Sequence, residues 1–318
     1  MKINFTAVLL LGVLAVQIAF QPFMVRRFIP VSAIPSACIL ISEVLKVVLG
    51  GSVYLWTTRG NTKRTWSLAS AIRWAGPPAV IYSVQNVAIT AAQRNVSGLL
   101  YNVLNQSKLL SAAIMGYFIL GKLQSRRQIV ALFGLFGASV LAVSSSSSET
   151  PNSMDGSSTM IGVMGALIAS SLSGLSGSLS DLAMQRQRRD SYLFSCELSV
   201  FVIISMVCGF ITDAALRGPQ SDIFRIVSMG GFLKAAGING VFSLSLIPIL
   251  TAAFGGILVG QVTKRVGSIR KGFAVSTGVV LTAFIDSPSL DWQLLASIPL
   301  ALVSVTAHAL ESEKLKSI

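Results

Sequence analysis

The sequence has little charge and few reactive side chains. Only 12% of its 318 residues are Asp, Glu, Lys or Arg, about half the fraction that is typical of a soluble domain. One His and three Cys, with no CxxC pair, are too few for a metal-ligand cluster or a disulfide scaffold. A phosphate-binding loop of the form GxxxxGK[ST] does not occur either. We therefore expect a membrane protein that is not an enzyme and that uses no metal and no cofactor.

Long apolar segments make up most of the chain instead. Hydrophobic residues account for 53% of the sequence, and the mean hydropathy is +0.72. A helix needs about 20 mainly apolar residues to cross a bilayer. The segments that approach or exceed this length are about 4–22, 31–56, 68–92, 97–120, 127–145, 159–183, 192–213, 238–263, 269–286 and 292–310. The sequence predicts an all-α membrane protein with ten transmembrane helices.

The basic residues predict how these helices are oriented. The net charge is +13, but Lys and Arg stand in short clusters on alternate connections between the apolar segments. Such clusters mark the cytosolic side of a membrane protein and contact lipid headgroups. We expect both termini to be cytosolic, the lipid bilayer to be the surrounding partner, and nucleic acid not to be a partner.

A serine-rich stretch divides the chain into two parts of similar length. The first five-helix half is expected over 1–145, a luminal linker over 146–158, and a second five-helix half with a short cytosolic tail over 159–318. Because five crossings are an odd number, two related halves form an inverted repeat, as in transporters that open alternately to each side. A ten-helix scaffold without internal symmetry is the alternative.

Polar residues on the second and third predicted helices are candidates for function. Glu43 and Lys46 are three residues apart and share a helix face, so they either neutralise each other or contact a substrate. Tyr82 and Gln85 lie about one turn apart, with Asn86 beside them. An aromatic ring can stack on a planar base, and an amide can bond its edge.

The fourth and ninth predicted helices each contribute a cation. Tyr101, Asn105 and Lys108 follow one stripe, and Lys108 has no acid in its own helix. A charge inside a bilayer costs about 2.5–3.5 kcal/mol on insertion scales, which favours an anion-binding role for this lysine. Lys271 stands at the start of the ninth helix, where the positive end of the helix dipole favours phosphate.

Four strings within these segments resemble a known family when they are taken together. They are Ile41–Lys46 (ISEVLK), Pro78–Asn86 (PAVIYSVQN), Tyr101–Lys108 (YNVLNQSK) and Ile269–Ala274 (IRKGFA). In this order and spacing, they resemble the Golgi nucleotide-sugar transporters of the CMP-sialic acid, UDP-galactose and UDP-N-acetylglucosamine group, within the drug/metabolite transporter superfamily. The resemblance implies ten helices in two inverted halves, which exchange a cytosolic nucleotide sugar for a luminal nucleoside monophosphate.

The same resemblance implies roles for individual residues. By position in the motifs, Tyr82 and Gln85 look like the residues that hold the pyrimidine, with Asn86 beside them. Tyr101 and Lys108 look like ribose and phosphate contacts. Lys271 resembles the family's second phosphate-binding lysine. Glu43 and Lys46 resemble its charged pair on the second helix.

The expected function is a secondary antiporter for a pyrimidine nucleotide sugar in the Golgi membrane, with the endoplasmic reticulum as the alternative compartment. UDP-galactose or UDP-N-acetylglucosamine is favoured as cargo, CMP-sialic acid stays open, and a homodimer is compatible with the sequence. The alternatives are a metabolite or drug exporter of the same superfamily and a non-transporting scaffold or receptor. Asp181 and Glu197 are intramembrane acids for which the sequence shows no partner.

Overall fold

The computed structural model of the chain describes residues 5–58, 66–96, 98–145, 156–240, 243–286 and 292–314. Regular structure within these ranges is helical, without a strand. The α-helices are α1 (Phe5–Phe28), α2 (Pro35–Thr58), α3 (Leu68–Asn95), α4 (Gly98–Asn105), α5 (Lys108–Leu120), α6 (Arg126–Ser145), α7 (Gly156–Asp181), α8 (Ser191–Arg217), α9 (Asp222–Ser228), α10 (Phe232–Ala235), α11 (Leu246–Val266), α12 (Ser268–Asp286) and α13 (Trp292–Lys314). A π-helical turn, Leu182–Arg186, extends α7. Residues 146–155 of the predicted linker lie outside the described residues.

Several helical segments of the described chain are long and apolar enough to cross a membrane. By length and composition these are Thr6–Phe28, Pro35–Thr58, Val103–Leu120, Thr159–Arg186, Ser191–Gln220, Leu246–Val266 and Ser268–Ile285. Large apolar side chains, such as Val80, Val84 and Val87 on α3, are exposed on the outside of the bundle, as lipid contact requires. The protein is an all-helical, multi-pass membrane protein, while the count of ten crossings stays a prediction.

Helix α7 lies against several neighbours because small residues line it. A Cβ added at Gly165 would lie 3.1 Å from the carbonyl oxygen of Ala88 on α3. One added at Gly174 would lie 2.6 Å from the carbonyl carbon of Ser111 on α5. Small residues let helix backbones approach closely within a membrane. The other extensive helix contacts join α1 to α11 and α12, α2 to α8 and α11, α3 to α8, and α6 to α13.

Two of the predicted helices differ from what the structure contains. The fourth is broken between α4 and α5, because the amides of Gln106 and Ser107 bond to carbonyls three residues back and the Ser107 hydroxyl donates to the Leu104 carbonyl at 2.6 Å. A serine side chain that bonds to the local backbone competes with regular helix. The eighth begins at Leu246 rather than near 238, after a turn at Gly237 with φ +75°.

Candidate functional site

Lys108 owes its position to the break between α4 and α5. It is the first residue of α5, where the free amide groups of the helix add positive potential. The side chain lies deep among the helices but keeps part of its surface accessible. Within the described part of the chain, no hydrogen bond or ion pair engages its ammonium group. A buried cation without a counter-charge is costly, so this position is suited to an anion.

Lys271 lies in the first turn of α12 and turns toward α7. Its Nζ is 3.6 Å from the position that a Cβ on Gly177 would occupy, so the absence of a side chain at Gly177 makes room for it. Lys108 and Lys271 are close enough for their charges to repel each other. As for Lys108, the described residues supply Lys271 with no acid partner. The structure therefore brings together two cations that stand 163 positions apart in the sequence.

Tyr82 and Gln85 lie on the inner side of α3. At about 100° per residue, both are on the side of the helix opposite to the exposed Val84 and Val87, and both are partly buried. The Oε1 atom of Gln85 is buried and has no hydrogen-bond partner among the described residues. Asn86 lies at the edge of this face and is exposed. The amide oxygen of Gln85 is thus available to a donor group on a ligand.

Tyr101 and Asn105 occupy α4, beside α7. Tyr101 is 9% exposed and belongs to an apolar cluster with Ala92, Val96 and Ala166. It therefore packs between α3 and α7, which is a core position. Asn105 is the last residue of α4 and is partly buried, three positions before Lys108.

Glu43 and Lys46 contact each other on α2. The Lys46 Nζ lies 2.5 Å from Glu43 Oε1, and Glu43 is 8% exposed. The aliphatic part of Lys46 crosses Gly256 on α11, since a Cβ there would lie 2.5 Å from Lys46 Cδ. The second carboxylate oxygen, Oε2, is buried without a partner in the described structure. The pair thus neutralises itself at the contact between α2 and α11, unlike the two lysines described above.

Asp181 has the partners that the sequence does not reveal. Its Oδ2 accepts hydrogen bonds from Lys122 Nζ at 2.9 Å and from the backbone amide and hydroxyl of Ser268 at 3.0 and 3.1 Å. Lys122 also donates to Gln185. A carboxylate at the first residue of α12 satisfies a free amide and complements the helix dipole. Asp181 therefore ties the α5–α6 connection and α7 to the start of the helix that carries Lys271.

Glu197 on α8 forms a second buried ion pair. It is 6% exposed and accepts from Arg189 Nε at 2.8 Å and Nη2 at 2.5 Å. The indole of Trp66 donates to it at 3.0 Å, and Arg189 also reaches the Ser70 hydroxyl at 2.6 Å. This network fastens the beginning of α3 to α8. The only sequence signal for it was the charge of Glu197 and Arg189, eight positions apart, because Trp66 and Ser70 are distant in the chain.

Known proteins that resemble the chain include several that are named as transporters of nucleotide sugars. The chain is 30% identical to the UDP-N-acetylglucosamine transporter ROCK1 of Arabidopsis thaliana over 96% of its own length and 91% of the relative's. It is 27% identical to the probable UDP-sugar transporter protein SLC35A4 of Rattus norvegicus over 85% and 82% of the two chains. A crystal structure with 10% sequence identity has the same fold, with a TM-score of 0.65 over 97% of this chain and 98% of that one.

The family model described as nucleotide-sugar transporter matches residues 6–309, which include the four motifs and nearly all of the helical bundle. The chain therefore belongs to the nucleotide-sugar transporter family.

Proposed function

We propose that the protein is a secondary antiporter, which exchanges a cytosolic pyrimidine nucleotide sugar for a luminal nucleoside monophosphate. The observation that carries the proposal is the pair Lys108 and Lys271, two neighbouring cations that lack an acid partner among the described residues. A diphosphate carries the charge that offsets both, and charge-assisted hydrogen bonds to phosphate are among the strongest that a site can make. Cationic cargo would be repelled, which disfavours an exporter of amines.

UDP-N-acetylglucosamine is the cargo that we put first. Relatives named as UDP-N-acetylglucosamine transporters occur in a plant and in a nematode, the latter also named for UDP-N-acetylgalactosamine. UDP-galactose is the next candidate, and CMP-sialic acid is the third. The base is assigned to Tyr82 and Gln85, because the unpartnered Gln85 oxygen can accept the ring N–H of uracil.

The other candidate residues take supporting roles in this proposal. Asn86 and Asn105 supply hydrogen bonds to the ribose or the sugar. Tyr101 holds α4 against α7 and through it positions Lys108, as its core packing suggests. The charged pair of Glu43 and Lys46 fixes α2 against α11, and it opens to substrate only if that contact changes during transport.

Two inverted halves let a transporter open alternately to each side, and several helix contacts support such a repeat. In a five-plus-five repeat, α1, α2, α3, α4–α5 and α6 correspond to α7, α8, α11, α12 and α13. Three pairs of contacts in the described structure follow this correspondence: α3 with α7 matches α11 with α1, α5 with α7 matches α12 with α1, and α3 with α8 matches α11 with α2. The contacts of α6 with α12 and of α8 with α11 have no comparably extensive counterpart among the described residues. We infer ten crossings in inverted halves over 1–145 and 159–318, cytosolic termini, and residence in the Golgi membrane.

The test is uptake into proteoliposomes that contain the purified protein. We expect labelled UDP-N-acetylglucosamine to enter faster when UMP is present inside, because an empty carrier must close over two unpaired lysines. Equal rates with and without internal nucleotide would refute exchange. Uptake of a cationic amine, with none of any nucleotide sugar, would favour the exporter. If the protein is a scaffold, no solute will be taken up and Lys108→Met will leave its function unchanged.

A further inference from the structure

Two cavities adjoin each other at the end of the bundle that carries Lys122, Arg265 and the α11–α12 turn. The first, which we call the basic cavity, has a volume of about 350 Å³. Its charged and imidazole side chains are Lys122, Arg265, Arg270 and His308. The second, which we call the apolar groove, has a volume of about 320 Å³ and lies between α1, α12 and α13. Arg270 and His308 line both.

The boundary between the two cavities is a packed structure. The imidazole of His308 is 4% exposed, and its ring centroid lies 4.2 Å from that of Phe273, which is 5% exposed. On its other side, His308 Nε2 is 3.4 Å from the amide oxygen of Gln124. The polar side of this boundary thus faces the basic cavity, and the aromatic side faces the groove. A ligand that spans both must have a polar part and an apolar part.

The charges of the two cavities define those parts. Among the residues that line the basic cavity there are three cations and no acid, and the nearby Asp181 is held by Lys122 and Ser268. The apolar groove is lined by hydrophobic side chains of α1, α12 and α13, and Arg270 is its one charged lining residue. A phosphate group complements the basic cavity, and a hydrocarbon chain complements the groove.

We propose that an anionic phospholipid occupies both cavities, with its phosphate at Arg265 and Arg270 and one acyl chain in the apolar groove against α1. Basic pockets between transmembrane helices bind lipid headgroups in this way. The bound lipid bridges α1 and α12, which already contact each other. Neither Lys108 nor Lys271 lines either cavity, and the lipid site does not depend on which solute the protein transports.

The test measures lipid retention by the full-length protein in detergent, using native mass spectrometry and thermal unfolding. The probe is phosphatidylinositol, compared with phosphatidylcholine that has the same acyl chains. We expect the protein to retain phosphatidylinositol in preference to phosphatidylcholine, and to have a higher melting temperature with phosphatidylinositol than with phosphatidylcholine. Gly12→Phe should abolish both effects, because a Cβ at Gly12 meets no atom within 4 Å and the ring can enter the groove. Gly209→Phe is the matched control, since Gly209 is equally unobstructed on α8.

The charge is tested with Arg270→Gln. We expect it to weaken phosphatidylinositol binding about fivefold and to leave phosphatidylcholine unaffected, as expected for one basic contact at a membrane surface. Arg73→Gln, an exposed arginine on α3, should change neither. Inorganic phosphate is the second probe. If phosphate alone raises the melting temperature as much as the lipid does, and Gly12→Phe has no effect, the site is a simple anion site and the lipid proposal is wrong. Equal retention of both lipids by wild type would also overturn it.

Discussion

Replacing Lys108 with Met removes one charge from the proposed substrate site and keeps an unbranched side chain of similar length. With an effective dielectric constant of about 20, like unit charges inside a protein repel each other by roughly 1–4 kcal/mol, and the value falls as their separation grows. Lys108 and Lys271 repel each other in this way, without an acid among the described residues to offset them. We therefore expect Lys108→Met to raise the melting temperature of the unloaded protein by a few degrees.

Binding of the nucleotide sugar should change in the opposite direction. A hydrogen bond to a charged group contributes about 1.5–3 kcal/mol, which corresponds to a loss of affinity of roughly 10- to 150-fold. The assays are thermal unfolding in detergent, with and without UDP-N-acetylglucosamine, and initial uptake into proteoliposomes. Lys108→Arg should retain more uptake than Lys108→Met, because it keeps the positive charge. Its uptake should still be below that of wild type, because a guanidinium differs in shape from an ammonium group.

Lys46→Met is the matched control for this experiment. Lys46 is also an intramembrane lysine, but it pairs with Glu43 at 2.5 Å. Removing it leaves a buried carboxylate uncompensated, which costs about 3 kcal/mol, so its melting temperature should fall. If Lys108→Met lowers the melting temperature as Lys46→Met does, and uptake keeps its wild-type KM, then Lys108 is a structural residue and the reasoning about the two lysines is wrong.

Three further experiments test other parts of the structure. Tyr82→Ala should weaken nucleotide binding by about 1–3 kcal/mol through lost stacking, whereas Gln85→Ala should mainly reduce discrimination between UMP and CMP. Competition assays measure both effects. Equal inhibition by GMP and UMP in wild type would contradict the pyrimidine assignment. Asp181→Asn keeps the shape of the side chain but removes the negative charge that Lys122 and Ser268 share, so the free energy of unfolding should fall by about 1–3 kcal/mol. An unchanged melting temperature would show that the network does not stabilise the protein. Gly174→Ala should destabilise by about 1–3 kcal/mol because its Cβ meets the α5 backbone at 2.6 Å, while Gly137→Ala, with no atom within 4 Å, should be neutral or stabilising.

The helical nature of the protein and its family could be predicted from the sequence because both depend on local patterns. Apolar runs of membrane length specify helices wherever they occur, and four short motifs were sufficient to identify the family. The break after Asn105 could not be predicted, since Gln106-Ser107 contains neither Gly nor Pro. Its cause is a hydroxyl that bonds to a carbonyl three residues back, which a serine in a regular helix can also do. Sequence alone does not distinguish the two.

The partners of the buried acids could not be predicted for a different reason. Asp181 and Lys122 are 59 residues apart, and Glu197 and Trp66 are 131 apart. These contacts exist only because α7 and α8 meet other parts of the chain, so no spacing rule indicates them.

The position of the two lysines also bears on how transport is coupled to the fold. Lys108 begins α5 and Lys271 lies in the first turn of α12, and these helices correspond to each other in the proposed repeat. A cation in the first turn opposes the helix dipole, so each lysine is unfavourable where it stands, and their proximity adds repulsion. Asp181 relieves the start of α12 at Ser268, but no described acid relieves Lys108. An anion that bridges the two helices removes all of these penalties together, and only while it is bound. The binding energy of the cargo can then bring the two halves together around it, whereas the empty carrier has no such source of energy. For this reason we expect exchange of one solute for another rather than the return of an empty carrier.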